Sequence, residues 1–226
     1  MQLPQDALGQ LINAGVSAVR VEPGTSWRAV QTACIELLGA APLCFDGTDQ
    51  CFGVNHVWLG HGDRRSDSAA ALSLHQEGYD EPVRPRYVAF LCVESGRGGG
   101  TTHADTRAPF ESLPRLHREA LARAQIRFRR SRDPFEMWSA WFPVIETNST
   151  KRELLRFAEP EVGYREVEIP AALEAFRELR QRLSAEVKVH SWNAGDVLLL
   201  DNHRVVHGRE AIAEGCRRHL IRLAFA

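Results

Sequence analysis

Apolar and polar residues alternate with two different periods along this chain, and the switches between them mark the elements. Asp6 to Ala14 fits a short helix, and Val16-Ser-Ala-Val-Arg-Val21 then alternates as a strand. Thr25 or Ser26 can cap a helix running to about Leu38, which Gly39 and Pro42 would end. Strand signals dominate from the middle onward: Tyr87 to Val93, Ile126 to Arg130, Met137 to Ile145, Leu154 to Phe157, Val187 to Trp192, Asp196 to Leu200 and Leu220 to Phe225. Two more helices fit Pro114 to Ala124 and Ala171 to Ala185, the second with Leu173, Phe176, Leu179 and Leu183 on one stripe. Many strands, few helices and no regular βαβ alternation predict a mainly β domain, an antiparallel sandwich or barrel with flanking helices. Residues 1–226 then form a single domain, with residues 1–70 as a strand-and-helix lead-in to a core over 71–226. Gly96-Arg-Gly-Gly-Gly100 lacks the Gly-Lys-Thr/Ser of a phosphate loop and reads as a tight turn.

Composition narrows the class. Hydrophobic residues make up 44% and charged residues 25%, which excludes a disordered chain, a coiled coil and a fibrous repeat. Lys+Arg total 28 against 29 Asp+Glu, so the basic excess of a nucleic-acid binder is absent. No apolar run reaches the roughly 18 residues of a membrane-spanning helix. The start, Met-Gln-Leu-Pro-Gln-Asp, lacks the basic-then-apolar layout of a signal peptide, so a cytoplasmic protein is expected. Cys34, Cys44, Cys51, Cys92 and Cys216 contain no CxxC pair and read as free thiols of a reducing compartment.

Nine histidines are present, and two contexts lift a few of them above ordinary structural use. His75 and Glu77 lie two apart, so on a strand both would face one side. An imidazole and a carboxylate there can reach one metal; a salt-bridged or solvated pair is the plain alternative. Farther on, a turn at Ala194-Gly195 launches the apolar run from Asp196, which ends in the polar stretch Asp201 to His207-Gly208. A histidine at the end of a buried strand can supply a third ligand. Two histidines and one carboxylate with open positions make the facial triad of non-haem Fe(II) oxygenases. Arg218 and Arg222 follow, four residues apart and hence on one strand face. A guanidinium there can anchor the far carboxylate of a keto acid; a solvated strand edge is the alternative.

Three stretches in this order resemble the TauD/TfdA, clavaminate-synthase-like family of Fe(II)- and 2-oxoglutarate-dependent oxygenases. They are Leu74-His-Gln-Glu-Gly-Tyr79 with the strand after it, Gly98-Gly-Gly-Thr-Thr-His-Ala-Asp-Thr-Arg107, and Gly195-Asp-Val-Leu-Leu-Leu-Asp-Asn-x-Arg-x-x-His207-Gly-Arg with Arg218 downstream. The resemblance runs from about Leu72 to the C-terminus. It implies a double-stranded β-helix, a jelly-roll, cupin-like sandwich. It implies Fe(II) held by His75, Glu77 and His207. It places 2-oxoglutarate on Arg218 and Thr101, with Thr102 as the neighbouring candidate. The implied reaction uses O2 to convert 2-oxoglutarate to succinate and CO2 while hydroxylating a C–H bond. The carboxylate of Glu77 disfavours halogenation, which needs a small residue there.

The implied substrate is a small polar molecule, such as an amino acid or an amino-acid-like metabolite, free or tethered to a carrier protein. Residues 128–149 stand where this family often has a lid. Trp138 or Trp141 would wall the pocket; the alternative is that these aromatics fill the core. Tyr79 and Asp80, just after the ligands, are further substrate candidates. Arg107 and Arg222 would contact a substrate anion or brace the iron loop, and His103 suits a supporting role beside Thr101. The same iron chemistry allows desaturation or cyclisation. Readings from other classes are a zinc hydrolase, which gives Arg218 and Thr101 no role, and a metal-binding jelly-roll module without turnover.

Overall fold

The computed structural model describes residues 1–43, 54–58, 68–128, 138–147, 153–159, 165–167 and 169–226. The strand β12 (Asp196–Asp201) is buried along its whole length, because both of its faces are covered. It lies between β1 (Val16–Arg20) and β4 (Tyr87–Glu94), and β4 is followed by β14 (His219–Phe225) and β2 (Val54–Trp58). All neighbours in this five-stranded sheet are antiparallel. A second antiparallel sheet has the order β11 (Lys188–His190), β5 (Thr101–Asp105), β13 (Val205–Arg209), β3 (Leu72–His75).

Alternation along the strands builds three apolar layers. Val88, Phe90 and Cys92 of β4, Leu198 and Leu200 of β12, and Leu220 of β14 meet Val205 and Trp192 between the sheets. The intervening residues Ala89, Leu91, Val197, Leu199, Ile221, Leu223 and Phe225 face outward. They pack under α1 (Asp6–Ala14) and α2 (Trp27–Leu38), against Leu11, Val30 and Cys34. On the far side, Leu74, Ala104 and Val206 of the smaller sheet pack under α4 (Arg115–Arg123) and α5 (Pro170–Ala185). The result is the expected jelly-roll sandwich with helices on both outer faces. Among the described residues, no helix is long and apolar enough to cross a membrane.

The α2 helix forms as its sequence predicts: Ser26 Oγ accepts from the Ala29 amide at 3.3 Å, and Gly39 closes the helix in the left-handed conformation. Other elements differ from expectation. The N-terminal segment is more than a lead-in, since β1 pairs along its length with β12. The strand β2 and the short helix α3 (Arg107–Glu111) had no readable signal. Met137 to Ile145 is not one strand. Trp138 makes an isolated bridge, β7 (Phe142–Pro143) pairs with β6 (Gln125–Phe128), and β8 (Ile145–Thr147) pairs with β9 (Glu153–Leu155). Pro143 lacks the amide that one ladder would need, and the chain changes partners there. On α5, Leu173 is 38% exposed while Ala172 and Ala175 are buried, so the apolar stripe is rotated from the expected one. Of the expected lid, residues 129–137 and 148–149 lie outside the described residues, as do His61, Cys44 and Cys51.

Candidate active site

The register of the smaller sheet sets His75 of β3 directly opposite His207 of β13. On its other side His207 faces His103 of β5. Directly opposed residues share a face. Val205, two residues before His207, belongs to the layer between the sheets, so this face looks inward. Gly208 lets β13 seat this closely: a Cβ there would collide with the Leu72 carbonyl and come within 2.9 Å of Thr102 Oγ1. The His75 and His207 rings are 4.6 Å apart, and Phe90 of β4 meets His207 edge-on at 5.5 Å.

Glu77 completes the cluster. One ligand atom each of His75, Glu77 and His207 lies within 4.8 Å of the others, and all three residues are buried. No other such group of His, Cys, Asp and Glu occurs among the described residues. His75 Nδ1 lies 2.9 Å from the Ser73 carbonyl, which fixes its proton there and turns the Nε2 lone pair to the cluster. His207 Nε2 lies 3.4 Å from Glu77 Oε1, and Glu77 Oε2 pairs with Arg222. Burial alone would raise the Glu77 pKa, but the Arg222 guanidinium, with His207 and His75, holds it well below the usual range. Burial and the neighbouring His207 push His75 down to about 4, against the pull of Glu77. A neutral imidazole and an ionised carboxylate are the ligand forms a divalent metal needs.

The segment carrying Glu77 lies beyond β3 and is held by side chains. Asn202 accepts from the Glu77 amide at 2.7 Å and donates to the carbonyls of Glu77 and Pro85 at 3.1 and 2.8 Å. Gln76 donates to the Asn202 carbonyl at 2.8 Å and accepts from Arg84 and the Phe157 amide. Arg84 and Arg156, both buried, share the carboxylate of Glu146. Arg156 also donates to the carbonyls of Tyr79 and Glu81 at 2.7 and 2.9 Å. Sequence reasoning gave no role to Gln76, Asn202, Arg84 or Arg156; only Asn202 had a signal, its place in the stretch ending at His207.

Arg218 immediately precedes β14, whose Leu220 lies in the layer between the sheets. Arg218 is 5% exposed, its Nε has no hydrogen-bond partner, and no carboxylate pairs with it among the described residues. Burial, with Arg209 nearby, pushes its pKa down to about 10. Its stem packs beside Gly99, where a Cβ would come within 3.5 Å of Arg218 Cδ and 2.5 Å of Ile212 Cγ1. Thr101 faces inward and its Oγ1 accepts from the Trp192 indole at 3.1 Å. Thr102 faces the other way, toward Gly208.

The other expected residues divide. Tyr79 packs edge-on against His75 at 6.2 Å and against Phe128 at 4.9 Å, so it borders the cluster. Arg222 pairs with Glu77. Trp138 and Trp141 do not wall this pocket: both rings stack on the Arg127 guanidinium, at 4.7 and 4.8 Å. Arg127 alternates with Ile126 and Phe128, which point into the core, so the tryptophans cover the opposite face of β6. Nor does Trp141 fill the core, since it is 40% exposed. Arg107 is also drawn away: it opens α3 and bonds Asp105 at 3.4 Å and the Asn13 carbonyl at 3.5 Å.

The jelly-roll sandwich with an inward His-Glu-His cluster defines the class, a cupin-like metal-site fold. Residues 33–224 match the family described as taurine catabolism dioxygenase TauD, TfdA, and the chain belongs to that family. It is 30% identical over 170 residues to a tyrosine isonitrile desaturase of Pseudomonas aeruginosa, covering 67% of this chain and 58% of that one. It is 29% identical to 3-((Z)-2-isocyanoethenyl)-1H-indole synthase of Fischerella ambigua, over 67% of this chain and 62% of that one. This chain thus spans about 60% of the length of these curated relatives. Among solved structures, it is similar to asparagine oxygenase in complex with Fe(II), 3-hydroxyasparagine and succinate, with a TM-score of 0.76 at 21% identity over 97% of this chain and 78% of that one. The non-heme iron oxygenase OrfP with Fe and α-ketoglutaric acid gives a TM-score of 0.75 at 18% identity, over 97% and 78%.

Proposed function

We propose that this chain is an Fe(II)- and 2-oxoglutarate-dependent oxygenase that hydroxylates an unactivated C–H bond of a small polar molecule, an amino acid or a close derivative. The observation that carries the reading is the presence, between the two sheets, of a buried His-Glu-His cluster and a buried arginine that has no counter-charge among the described residues. A buried guanidinium without an anion is costly, so a carboxylate ligand is the natural complement.

The residues present fit both groups. His75 through Nε2, Glu77 through its carboxylate and His207 would hold Fe(II). Arg218 and the Thr101 hydroxyl would hold the far carboxylate of 2-oxoglutarate. Bound together, iron and 2-oxoglutarate supply the oxidising power, with O2 as oxidant and succinate and CO2 as co-products. The chain's own work is to orient and to exclude water. Asn202 and Gln76 fix the backbone around Glu77, and Arg222 keeps that carboxylate ionised. Tyr79 and Phe90 line the approach to the histidines, and Arg222, paired with Glu77, is a cation beside the cluster that a substrate carboxylate would meet.

The relative named as a tyrosine isonitrile desaturase favours a second outcome on the same site, removal of two hydrogens instead of hydroxylation. Purified protein incubated with Fe(II), ascorbate, 2-oxoglutarate and air over a panel of amino acids and their N-substituted derivatives tests both. Substrate-dependent succinate with a product heavier by one oxygen supports hydroxylation; a product lighter by two hydrogens supports desaturation. Succinate that never responds to any panel member, in protein that binds neither iron nor 2-oxoglutarate, contradicts both and favours a module without turnover.

A further inference from the structure

Trp192 stands at the Thr101 end of the site with no role in the reading above. It follows β11, two residues beyond His190, whose register partner on β5 is Thr101. Its indole Nε1 donates to Thr101 Oγ1 at 3.1 Å. Trp192 is 9% and Thr101 3% exposed, so water competes little for this bond. The His190 ring stands perpendicular to the indole with centroids 4.6 Å apart, which fixes the indole plane.

An indole only donates, whereas a threonine hydroxyl has one proton and two lone pairs. With Trp192 donating into one lone pair, the threonine proton must point elsewhere. No acceptor for it is found among the described residues. The buried Nε of Arg218, whose stem packs at Gly99 two residues before Thr101, is likewise a donor without a partner. Two sheltered donors with unspent protons at one end of the site call for one anion.

We propose that Trp192 is a positioning residue for 2-oxoglutarate: its indole N–H holds the Thr101 hydroxyl as a donor toward the cosubstrate's far carboxylate. Without the indole, the hydroxyl is free to rotate and to present a lone pair to that carboxylate. The inference rests on the assignment of 2-oxoglutarate to Thr101 and Arg218.

The test is a double-mutant cycle on the Fe(II)-loaded protein without oxygen, with the 2-oxoglutarate dissociation constant read by calorimetry. Thr101→Val weakens 2-oxoglutarate binding. Trp192→Phe keeps an aromatic ring and weakens it about three- to tenfold, the scale of one lost hydrogen bond. In the Thr101→Val background Trp192→Phe adds nothing, and the Fe(II) dissociation constant stays unchanged throughout. Equal weakening by Trp192→Phe in both backgrounds means that Trp192 acts by packing and overturns the proposal. So does no effect of Trp192→Phe where Thr101→Val has one. No effect of Thr101→Val overturns instead the assignment of 2-oxoglutarate to Thr101. Should Trp192→Phe not fold, the indole N–H resonance of Trp192 is read in Zn(II)-loaded protein. It shifts when 2-oxoglutarate is added to the wild type and not to Thr101→Val; equal shifts in both contradict the proposal.

Discussion

Arg222 of β14 crosses the space between the two sheets to pair with Glu77, the residue that carries the only carboxylate of the candidate metal cluster. Both side chains are largely buried, so the pair is screened little by solvent. Removing the guanidinium leaves Glu77 to its burial, which raises its pKa. Arg222→Gln is therefore expected to weaken Fe(II) binding about 10- to 100-fold, the scale seen when a partner of a metal ligand is lost. The loss grows as pH falls, because protons now compete for Glu77. Fe(II) titrations at pH 7.5 and 6.0 check this; equal affinity in variant and wild type contradicts it.

Arg218 makes the opposite demands on binding and on stability. As a buried cation with no counter-charge among the described residues, it burdens the ligand-free fold. Arg218→Met is expected to raise the thermal midpoint of the ligand-free protein by a few degrees, about 1 kcal/mol or more. The same change raises the 2-oxoglutarate requirement at least about tenfold, since a charge-assisted bond is lost. Thermal melts with and without 2-oxoglutarate separate the two effects: the cosubstrate stabilises the wild type and not the variant. A variant that is both less stable and unchanged in its 2-oxoglutarate requirement assigns Arg218 to the fold alone.

Asn202→Ala removes three side-chain hydrogen bonds from a fully buried position, two of them to the backbone of Glu77. The amide and carbonyls left behind have no water to turn to. A loss of about 2–4 kcal/mol in unfolding free energy is expected. Fe(II) affinity falls as well, because the Glu77 backbone is no longer fixed. Urea unfolding and an Fe(II) titration measure the two; an effect on neither contradicts the clamp.

Four histidines give the metal-free protein a pH dependence with a definite sign. Burial, with His207 beside His75, Lys188 beside His103, Arg84 beside His203 and His56 beside His219, pushes each of them down to about 4. In the unfolded chain they titrate near 6.5. Below that pH the unfolded state takes up protons that the folded state refuses, so stability falls progressively from about pH 6.5 to about 4 and is full above that window. The lowered carboxylates of Glu77, Asp105 and Glu146 lose their contribution only at lower pH still. The urea midpoint in chelator is expected to fall between pH 7 and 4.5; a flat midpoint contradicts the burial of these imidazoles.

The sandwich was legible where strands are apolar and self-contained, as in Asp196 to Leu200 and Leu220 to Phe225. The candidate ligands were legible because their order and spacing survive any change in the surrounding loops. Long-range choices were not. That Arg127 collects Trp138 and Trp141 depends on which face of β6 is buried, and the local pattern of bulky aromatics does not carry that. Arg107 reads as a free cation until Asp105 and the Asn13 carbonyl, the latter 94 positions away, are brought to it. The indole of Trp192 meets Thr101 only through the pairing of β11 with β5, a contact across 91 positions. Short elements such as β2 and α3 gain their stability from partners and leave little local signature.

Fe(II) and 2-oxoglutarate are expected to bind together in the space between the two sheets. The most direct measurement is the visible absorption spectrum of the purified protein titrated without oxygen, first with Fe(II) and then with 2-oxoglutarate. The predicted result is a charge-transfer band that needs both additions, is lost in His75→Ala and His207→Ala, and demands far more 2-oxoglutarate in Arg218→Met. No band in the wild type at saturating Fe(II) and 2-oxoglutarate, or a band undiminished in His75→Ala, would contradict it.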